Sequence, residues 1–311
     1  MRPSLGDYIL LAVLGALWGA SFLLIKVAVA TIPPLTVAAG RIGLGAVLLL
    51  LVSIVRGAPL RQIRVFWGSF VAMGMLGTVL PFFLIGWGER RIDSGLAAIM
   101  MPVVPLATIV LAHVFVPDEP LTRGKIAGVV LGAAGILVLV GPSALGSREP
   151  LLLPELAIAL ATLCYAGNSI VARLLPPIPA ELVGAGMLLA ATFSSVPACL
   201  LMDRPWQLTP SIASVVAVLG LGAVCTAFGY LLLFRIIARA GAGFSSLNNF
   251  LVPIFGVLWG ALFLGERPAP RALIALVVIL AGVAAPRLWP GKTRLRKEPC
   301  TPSSIHQAAP R

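Results

Sequence analysis

The chain has 311 residues, of which 59% are hydrophobic and only 11% charged, with a mean hydropathy of +1.04. A soluble globular chain carries about 25% charged residues, so an ordinary soluble enzyme is excluded: too few charges exist to solvate one folded surface. The net charge of +12 would suggest nucleic acid in a soluble domain. In so apolar a chain, Lys and Arg outside the helices set membrane orientation instead, and no nucleic-acid partner is expected.

Apolar runs bounded by charge, Gly or Pro give ten candidate helices: 8–30, 34–55, 67–87, 95–116, 124–142, 153–174, 182–202, 211–234, 243–264 and 270–288. A β-barrel is disfavoured because its strands alternate strictly, whereas 182–202 and 211–234 are apolar on all faces. The first run resembles a signal peptide in ending at Ala28-Val29-Ala30, but its uncharged stretch, Tyr8 to Ile25, exceeds the usual signal core. It is expected to remain as a span. Cys164, Cys199 and Cys225 lie within apolar runs, and with Cys300 show no CxxC spacing, so neither a disulfide framework nor a metal site is expected.

A shift of 148 residues superposes the two halves without a gap. It matches Asp7 with Glu155, Gly19 with Gly167, Ser21 with Ser169 and Arg56 with Arg204. Further along it matches Gly74 with Gly222, Thr78 with Thr226, Pro105 with Pro253, Phe115 with Phe263, Asp118 with Glu266, Pro120 with Pro268 and Arg123 with Arg271. Five spans per half is an odd number, so the second half enters the membrane from the opposite side. The expected fold is an all-α integral membrane protein of ten transmembrane helices, arranged as two inverted five-helix repeats. The repeats occupy 1–142 and 153–288, followed by a polar, Pro-rich cytoplasmic tail, 289–311, expected to be disordered. With the amino terminus cytoplasmic, that side collects 15 Lys and Arg against 7 on the other, which places both termini inside. Six of the 15 come from the end of the last span and the tail, and without them the bias is nine against seven.

Gly6-Asp7, the run Ala16-Leu17-Trp18-Gly19-Ala20-Ser21-Phe22 and Arg41 resemble the first half of an EamA-type member of the drug/metabolite transporter superfamily. Val252-Pro253-Ile254-Phe255 followed by Leu264-Gly265-Glu266-Arg267 resembles the Pro-then-GlyGlu signature of the fourth helix of each EamA repeat. Val104-Pro105-Leu106 with Pro117-Asp118-Glu119-Pro120 is a variant of it. The resemblance spans residues 7–288. It implies ten helices, cytoplasmic termini, a central cavity between the halves and alternating access, with amino acids, metabolites or toxic small molecules exported by many relatives. It does not name a substrate.

Polar groups deep in spans either tie helices together or line a wet cavity. The candidates for substrate binding are Trp18, Ser21, Thr78, Tyr165, Asn168, Thr226, Tyr230, Asn248 and Asn249, with Ser169 alongside them. The aromatic rings can stack on a substrate. Adjacent helical amides point about 100° apart, so Asn248 and Asn249 cannot both face one apolar neighbour. The alternative for the hydroxyls is a bond to the preceding turn of their own helix. Pro105 and Pro253 each remove a helical hydrogen bond and are candidate hinges, static kinks being the alternative. Met100 and Met101 suit an adaptable cavity wall or ordinary packing.

Arg41 is the one charge well inside a span. It is expected to be structural, reaching the interface or bonding carbonyls, although it could neutralise an anionic substrate. Lys26 is expected to snorkel outward. Asp118, Glu119 and Glu266 are expected to form interfacial pairs with basic neighbours, and His113 to be hydrogen-bonded packing. Nothing acidic lies between Tyr8 and Ile25, so the proton coupling of small four-helix relatives, which uses a first-helix glutamate, is not expected here.

An intramembrane enzyme is the alternative class, but the chain offers no GxSxG, HExxH or nucleophile-with-base constellation. The expected function is a secondary carrier, exporting small organic metabolites, amino acids or drugs across the cytoplasmic membrane. It would work as a monomer in the bilayer without a cofactor. Few charges in the spans disfavour phosphorylated metabolites or nucleotide sugars, which require clustered Arg and Lys.

Overall fold

The computed structural model describes residues 3–116, 119–144 and 151–289. Asp118, Cys300, His306 and the tail beyond Trp289 lie outside the described residues. Ten helices long and apolar enough to cross a membrane follow one another: α1 Leu5–Ala28, α2 Pro34–Val55, α3 Trp67–Glu89, α4 Ser94–Phe115 and α5 Arg123–Val140 in the first half. α6 Leu152–Arg173, α7 Ala180–Met202, α8 Ile212–Ala240, α9 Ala242–Leu264 and α10 Pro270–Leu288 make up the second. No strand occurs among the described residues. A short helix, Arg61–Val65, precedes α3, and the 3-10 turn Pro205–Gln207 precedes α8.

Local chemistry sets these boundaries. Ser4 caps α1 through a reciprocal box with Asp7, whose Oδ2 accepts from the Ser4 amide at 2.9 Å. Pro34 and Pro270 open α2 and α10, where a missing N–H costs nothing. Gly265, at φ 66°, ends α9 in the left-handed region that a side chain resists.

Equivalent positions in the two halves find equivalent partners. α2 packs on α7 and α5 on α10, each helix against its own repeat mate, while α1 on α9 matches α6 on α4, and α3 on α6 matches α8 on α1. The self-paired helices run antiparallel. The start of α2 meets the end of α7, where Thr36 N and Oγ1 donate to Asp203 Oδ2 at 2.9 and 2.7 Å. Its end meets the start of α7, with Arg56 3.9 Å from Glu181. In α5 and α10, a Cβ on Gly128 would stand 2.6 Å from the Gly282 carbonyl oxygen, so two glycines permit backbone contact.

The two ends of the bundle differ. At the end away from the termini, Ala28, Ile32, Val37, Ile92, Ile99, Leu139, Ile158, Leu221 and Ala275 join one continuous buried cluster that draws on both halves. At the termini end the packing divides. Leu11, Leu14, Leu232, Ile236 and Phe244 form one cluster, Leu49, Ile63, Phe70 and Leu182 belong to another, and Val103, Leu106, Ile279 and Val283 form a third.

Three local features depart from a plain helix. α3 and α8 widen to π-helical turns at Met75–Val79 and Leu221–Phe228, which overlap in the 148-residue register. Such turns expose carbonyls that a regular helix consumes and recur at functional sites. α4 breaks at Met101-Pro102 between segments Ser94–Met100 and Val103–Phe115, with Pro105 in the first turn of the second segment. α9 breaks earlier in register, at Ser246-Leu247, and Pro253 sits inside the unbroken helix Asn248–Leu264.

Candidate functional site

A cavity of about 350 Å³ lies mid-bundle between the halves, walled by α1, α2, α3 and α4 on one side and α6, α8 and α9 on the other. Of the nine sequence-derived candidates, Trp18, Ser21, Tyr165, Asn168, Thr226, Tyr230, Asn248 and Asn249 line it, as does Ser169. Thr78 is not among its lining residues: it is fully buried and its hydroxyl donates to the Gly74 carbonyl at 2.6 Å, while the neighbouring Gly77 reaches the cavity. Both adjacent amides, Asn248 and Asn249, border the space. Phe22, Ile25, Phe82, Ile85, Met101, Val104, Leu233 and Val252 supply an apolar wall.

The aromatic groups are fixed by neighbours. Trp18 Nε1 donates to the Cys225 carbonyl at 3.0 Å, a carbonyl within the widened turn of α8. Its ring meets Tyr230 edge-on at 6.3 Å, and Tyr230 stacks on Phe234 at 5.8 Å. Asn168 packs onto Gly77, where a Cβ would lie 2.8 Å from its amide carbon. The Oδ1 atoms of Asn168 and Asn248 are buried without a hydrogen-bond partner. Ser169 donates to the Tyr165 carbonyl at 3.0 Å, so its hydroxyl hydrogen is consumed within its own helix.

The charged residues depart most from the sequence reading. Arg41 reaches no interface: it is 7% exposed, lines the cavity, and donates from Nε to Thr226 Oγ1 at 2.7 Å. Its guanidinium carbon lies 3.8 Å from the centre of the Phe82 ring. Desolvation makes a cation–ring contact of this kind stronger than at a surface. Lys26 turns inward rather than snorkelling, donating to the carbonyls of Glu89 and Ile92 at 2.6 and 2.7 Å. It thereby satisfies carbonyls at the end of α3.

Glu266 forms no pair with a basic neighbour among the described residues. It caps α4, accepting from the amides of Ser94 and Gly95 at 2.8 and 2.9 Å and from Ser94 Oγ at 3.0 Å. Glu119 does form the expected pairs, with Lys125 at 2.9 Å and Arg173 at 3.2 Å, and the Lys125 bond holds its carboxyl below the usual range. Between α3 and α4, burial pushes the Asp93 carboxyl up, with Glu266 adding to the effect and Lys26 opposing it. His113 Nδ1 is hydrogen-bonded to the Glu119 carbonyl at 2.8 Å.

Glu89 was not legible as a buried group from the apolar run, which ends two residues earlier. It is the last residue of α3, completely buried, and neither carboxyl oxygen has a hydrogen-bond partner. Its place four and seven residues beyond the lining positions would have flagged it, since Phe82, Ile85 and Glu89 share one helical face. No cluster of three or more His, Cys, Asp or Glu able to hold a metal occurs among the described residues.

The chain matches known proteins in both fold and sequence. A solved crystal structure of a protein aligns with a TM-score of 0.64 at 22% identity, covering 91% of this chain and 98% of its own. The "Uncharacterized inner membrane transporter YedA" of Escherichia coli is 27% identical over 298 residues, 94% of each chain. The "Probable amino-acid metabolite efflux pump" of Salmonella typhimurium is 26% identical over 274 residues, 86% of this chain and 89% of its own. The model of the EamA-like transporter family matches twice, at residues 7–141 and 152–285, once on each half of the bundle that encloses the cavity. The chain is therefore an integral membrane protein that belongs to the EamA-like transporter family.

Proposed function

We propose that the chain is a secondary carrier that exports a small organic molecule across the cytoplasmic membrane by alternating access, with the central cavity as its binding site. The observation that carries this reading is the asymmetry of the bundle ends: a large apolar cluster spans most of the end away from the termini, beside a small one of Leu35, Ala39 and Cys199, and three separate clusters divide the other. Unequal ends are what a carrier facing one side would show, which supports that reading over a static pore. The antiparallel pairing of α2 with its mate α7 supports two inverted halves, which exchange roles as access alternates. Both termini are cytoplasmic in this reading, so the form described faces inward.

Trp18, Ser21, Tyr165, Asn168, Thr226, Tyr230, Asn248 and Asn249 contact the substrate, and Pro105 and Pro253 permit the halves to rearrange. Export rests on relatives named as an efflux pump and as a "Probable terminal-alkyne amino-acid exporter". A phosphorylated substrate fits less well, since Arg41 is the one Lys or Arg among the described residues that line the cavity. The test is counterflow in proteoliposomes with amino acids, aromatic metabolites and cationic drugs. Exchange of at least one class is expected, and turnover of a lipid or peptide without exchange would return the reading to an intramembrane enzyme.

A further inference from the structure

Glu89 closes α3 at the end of the bundle away from the termini. It is 0% exposed, and neither carboxyl oxygen has a hydrogen-bond partner among the described residues. No ion pair joins it to a basic side chain there either. Lys26 on α1 spends its donors on main-chain carbonyls, that of Glu89 itself and that of Ile92. Arg41 on α2 is bound to Thr226, and Glu266, after α9, to the amides of Ser94 and Gly95; both act on the Glu89 carboxyl group through space. Asp93 follows in the α3–α4 connection, Glu155 stands in the first turn of the neighbouring α6, and Arg90 and Arg91 are exposed. A carboxyl group so placed has lost its water and gained no donor, which is costly for an ionised acid and far less so for a neutral one.

Its position separates this acid from the substrate site. Ile85, one turn earlier, lines the cavity, but Glu89 is not among the lining residues. Ile25, Ile85, Ile92 and Ile158 belong to the apolar cluster that spans most of this end. Water therefore reaches the carboxyl group only when this end opens. The other end carries no copy: at a shift of 148 residues Glu89 corresponds to Ile237 and Lys26 to Leu174. A group needed to build each half would be needed twice, as Pro105 and Pro253 are; this acid occurs once, at one end.

Resting on the carrier reading, we propose that Glu89 is a proton-operated latch on the end away from the termini, neutral while that end is closed and ionised when it is open. On opening, the carboxyl O–H bond breaks, the proton passes to water and the electron pair stays on the carboxylate, near the Lys26 ammonium. Closing takes one proton back from the same side. Since the carboxyl group does not border the cavity, the latch answers to pH at one face and carries no proton across the membrane. The closed form then binds one proton more than the open form. Low pH favours closure, and rising pH favours opening by at most about tenfold per pH unit.

The test reads the opening directly. Ile92 is 3% exposed, whereas Arg91 before it is exposed. With the native cysteines changed to Ser, Ile92→Cys and Arg91→Cys are made singly and reacted with a maleimide in lipid nanodiscs from about pH 5.5 to about pH 8.5. The ratio of the two rates cancels the ionisation of the thiol. It should rise about threefold or more over that range in the parent, stay flat in Glu89→Gln, and still rise in Glu89→Asp, which keeps the acid. Melting temperatures show whether each variant is folded. A flat ratio in the parent, or an equal rise in Glu89→Gln, overturns the latch. In proteoliposomes, trapped pyranine should report no proton movement with exchange; movement that Glu89→Gln abolishes overturns the one-sided path. Counterflow with amino acids, aromatic metabolites and cationic drugs separates the two readings. Exchange with a flat ratio keeps the carrier and overturns the latch, whereas a rising ratio without any exchange fails the carrier and leaves the proton-dependent opening standing.

Discussion

Trp18 on α1 donates its indole hydrogen across the bundle to the Cys225 carbonyl of α8, 3.0 Å away, while Cys225 Sγ donates back to the Leu17 carbonyl at 3.3 Å. This reciprocal pair joins the first half to the second at the cavity wall, and it depends on the widened turn Leu221–Phe228. Trp18 therefore has two separable duties, a ring presented to the cavity and a bond that ties α1 to α8. Trp18→Phe keeps a ring and loses the bond, which is expected to cost about 0.6–2 kcal/mol on the scale of interhelical hydrogen bonds in membranes. Trp18→Ala removes both. Uptake should fall far more in the alanine variant than thermal stability does; equal uptake in the two variants would assign the ring to packing alone.

Glu89 is completely buried at the end of α3 and its carboxyl oxygens have no hydrogen-bond partner. Glu89→Gln keeps the shape and removes the ionisable group, so its melting temperature at neutral pH should equal or exceed that of the parent. A fall of several degrees would mean that the carboxylate is held by a partner of opposite charge.

Glu119 pins the α4–α5 connection to the end of α6 through Lys125 and Arg173. Its carboxyl is depressed below the usual value, so the stability it adds is complete above the unfolded value of about 4.3 and is lost as pH falls through the lower folded value. Melting temperature should thus be flat in this respect down to about pH 5, and decline below it by an amount that Glu119→Gln removes. Because Glu119, Lys125 and Arg173 are 25 to 50% exposed, the effect is small and should shrink in high salt.

Ten spans, the duplication and most of the polar residues on the cavity wall could be read from the sequence because each has a one-dimensional signature: apolar length, a constant shift, and a polar residue amid apolar ones. What could not be read depends on where a helix is rotated and what faces it. Thr78 and Thr226 are repeat mates, yet Thr226 meets Arg41 at the cavity while Thr78 bonds its own helix. Lys26 and Glu266 each sit at a span end where water is available, and each was expected to use it or a charged neighbour. Helix-end carbonyls and amides compete for the same side chains, and here they won. The widened turns of α3 and α8 have no composition signature, since Gly74 just before the one and Gly222 within the other equally suit close helix packing.

The proposal that both termini are cytoplasmic rests on 15 Lys and Arg against 7. A maleimide reagent that cannot cross the membrane should leave Cys300 unlabelled in intact cells and label it after permeabilisation. Cys164, Cys199 and Cys225 are buried and give little background. Labelling without permeabilisation would reverse the orientation and make the described form outward-facing.

Pro105 and Pro253 correspond in the repeat, and the residues four positions before them, Met101 and Asn249, both line the cavity. A proline removes the hydrogen bond to that carbonyl and crowds it with its ring, so each proline loosens its helix where it touches the site. The surroundings differ: α4 is broken at Met101-Pro102, and Val104 N donates to the Met101 carbonyl three residues back at 3.0 Å, whereas Pro253 is itself buried and sits within a continuous stretch of α9. If the halves are inverted and rearrange in turn, α4 and α9 exchange these shapes as access alternates. Pro105→Ala and Pro253→Ala each restore a hydrogen bond and stiffen one helix, so each should slow exchange about tenfold or more, the equivalent of a stabilisation of about 1.4 kcal/mol in one state, while substrate binding persists. The two variants should accumulate opposite access states, seen as opposite shifts in spin-label distances across the two ends of the bundle. Wild-type distances together with wild-type exchange rates in both variants would make the prolines static kinks, and the motion would have to be sought at the breaks Met101-Pro102 and Ser246-Leu247 instead.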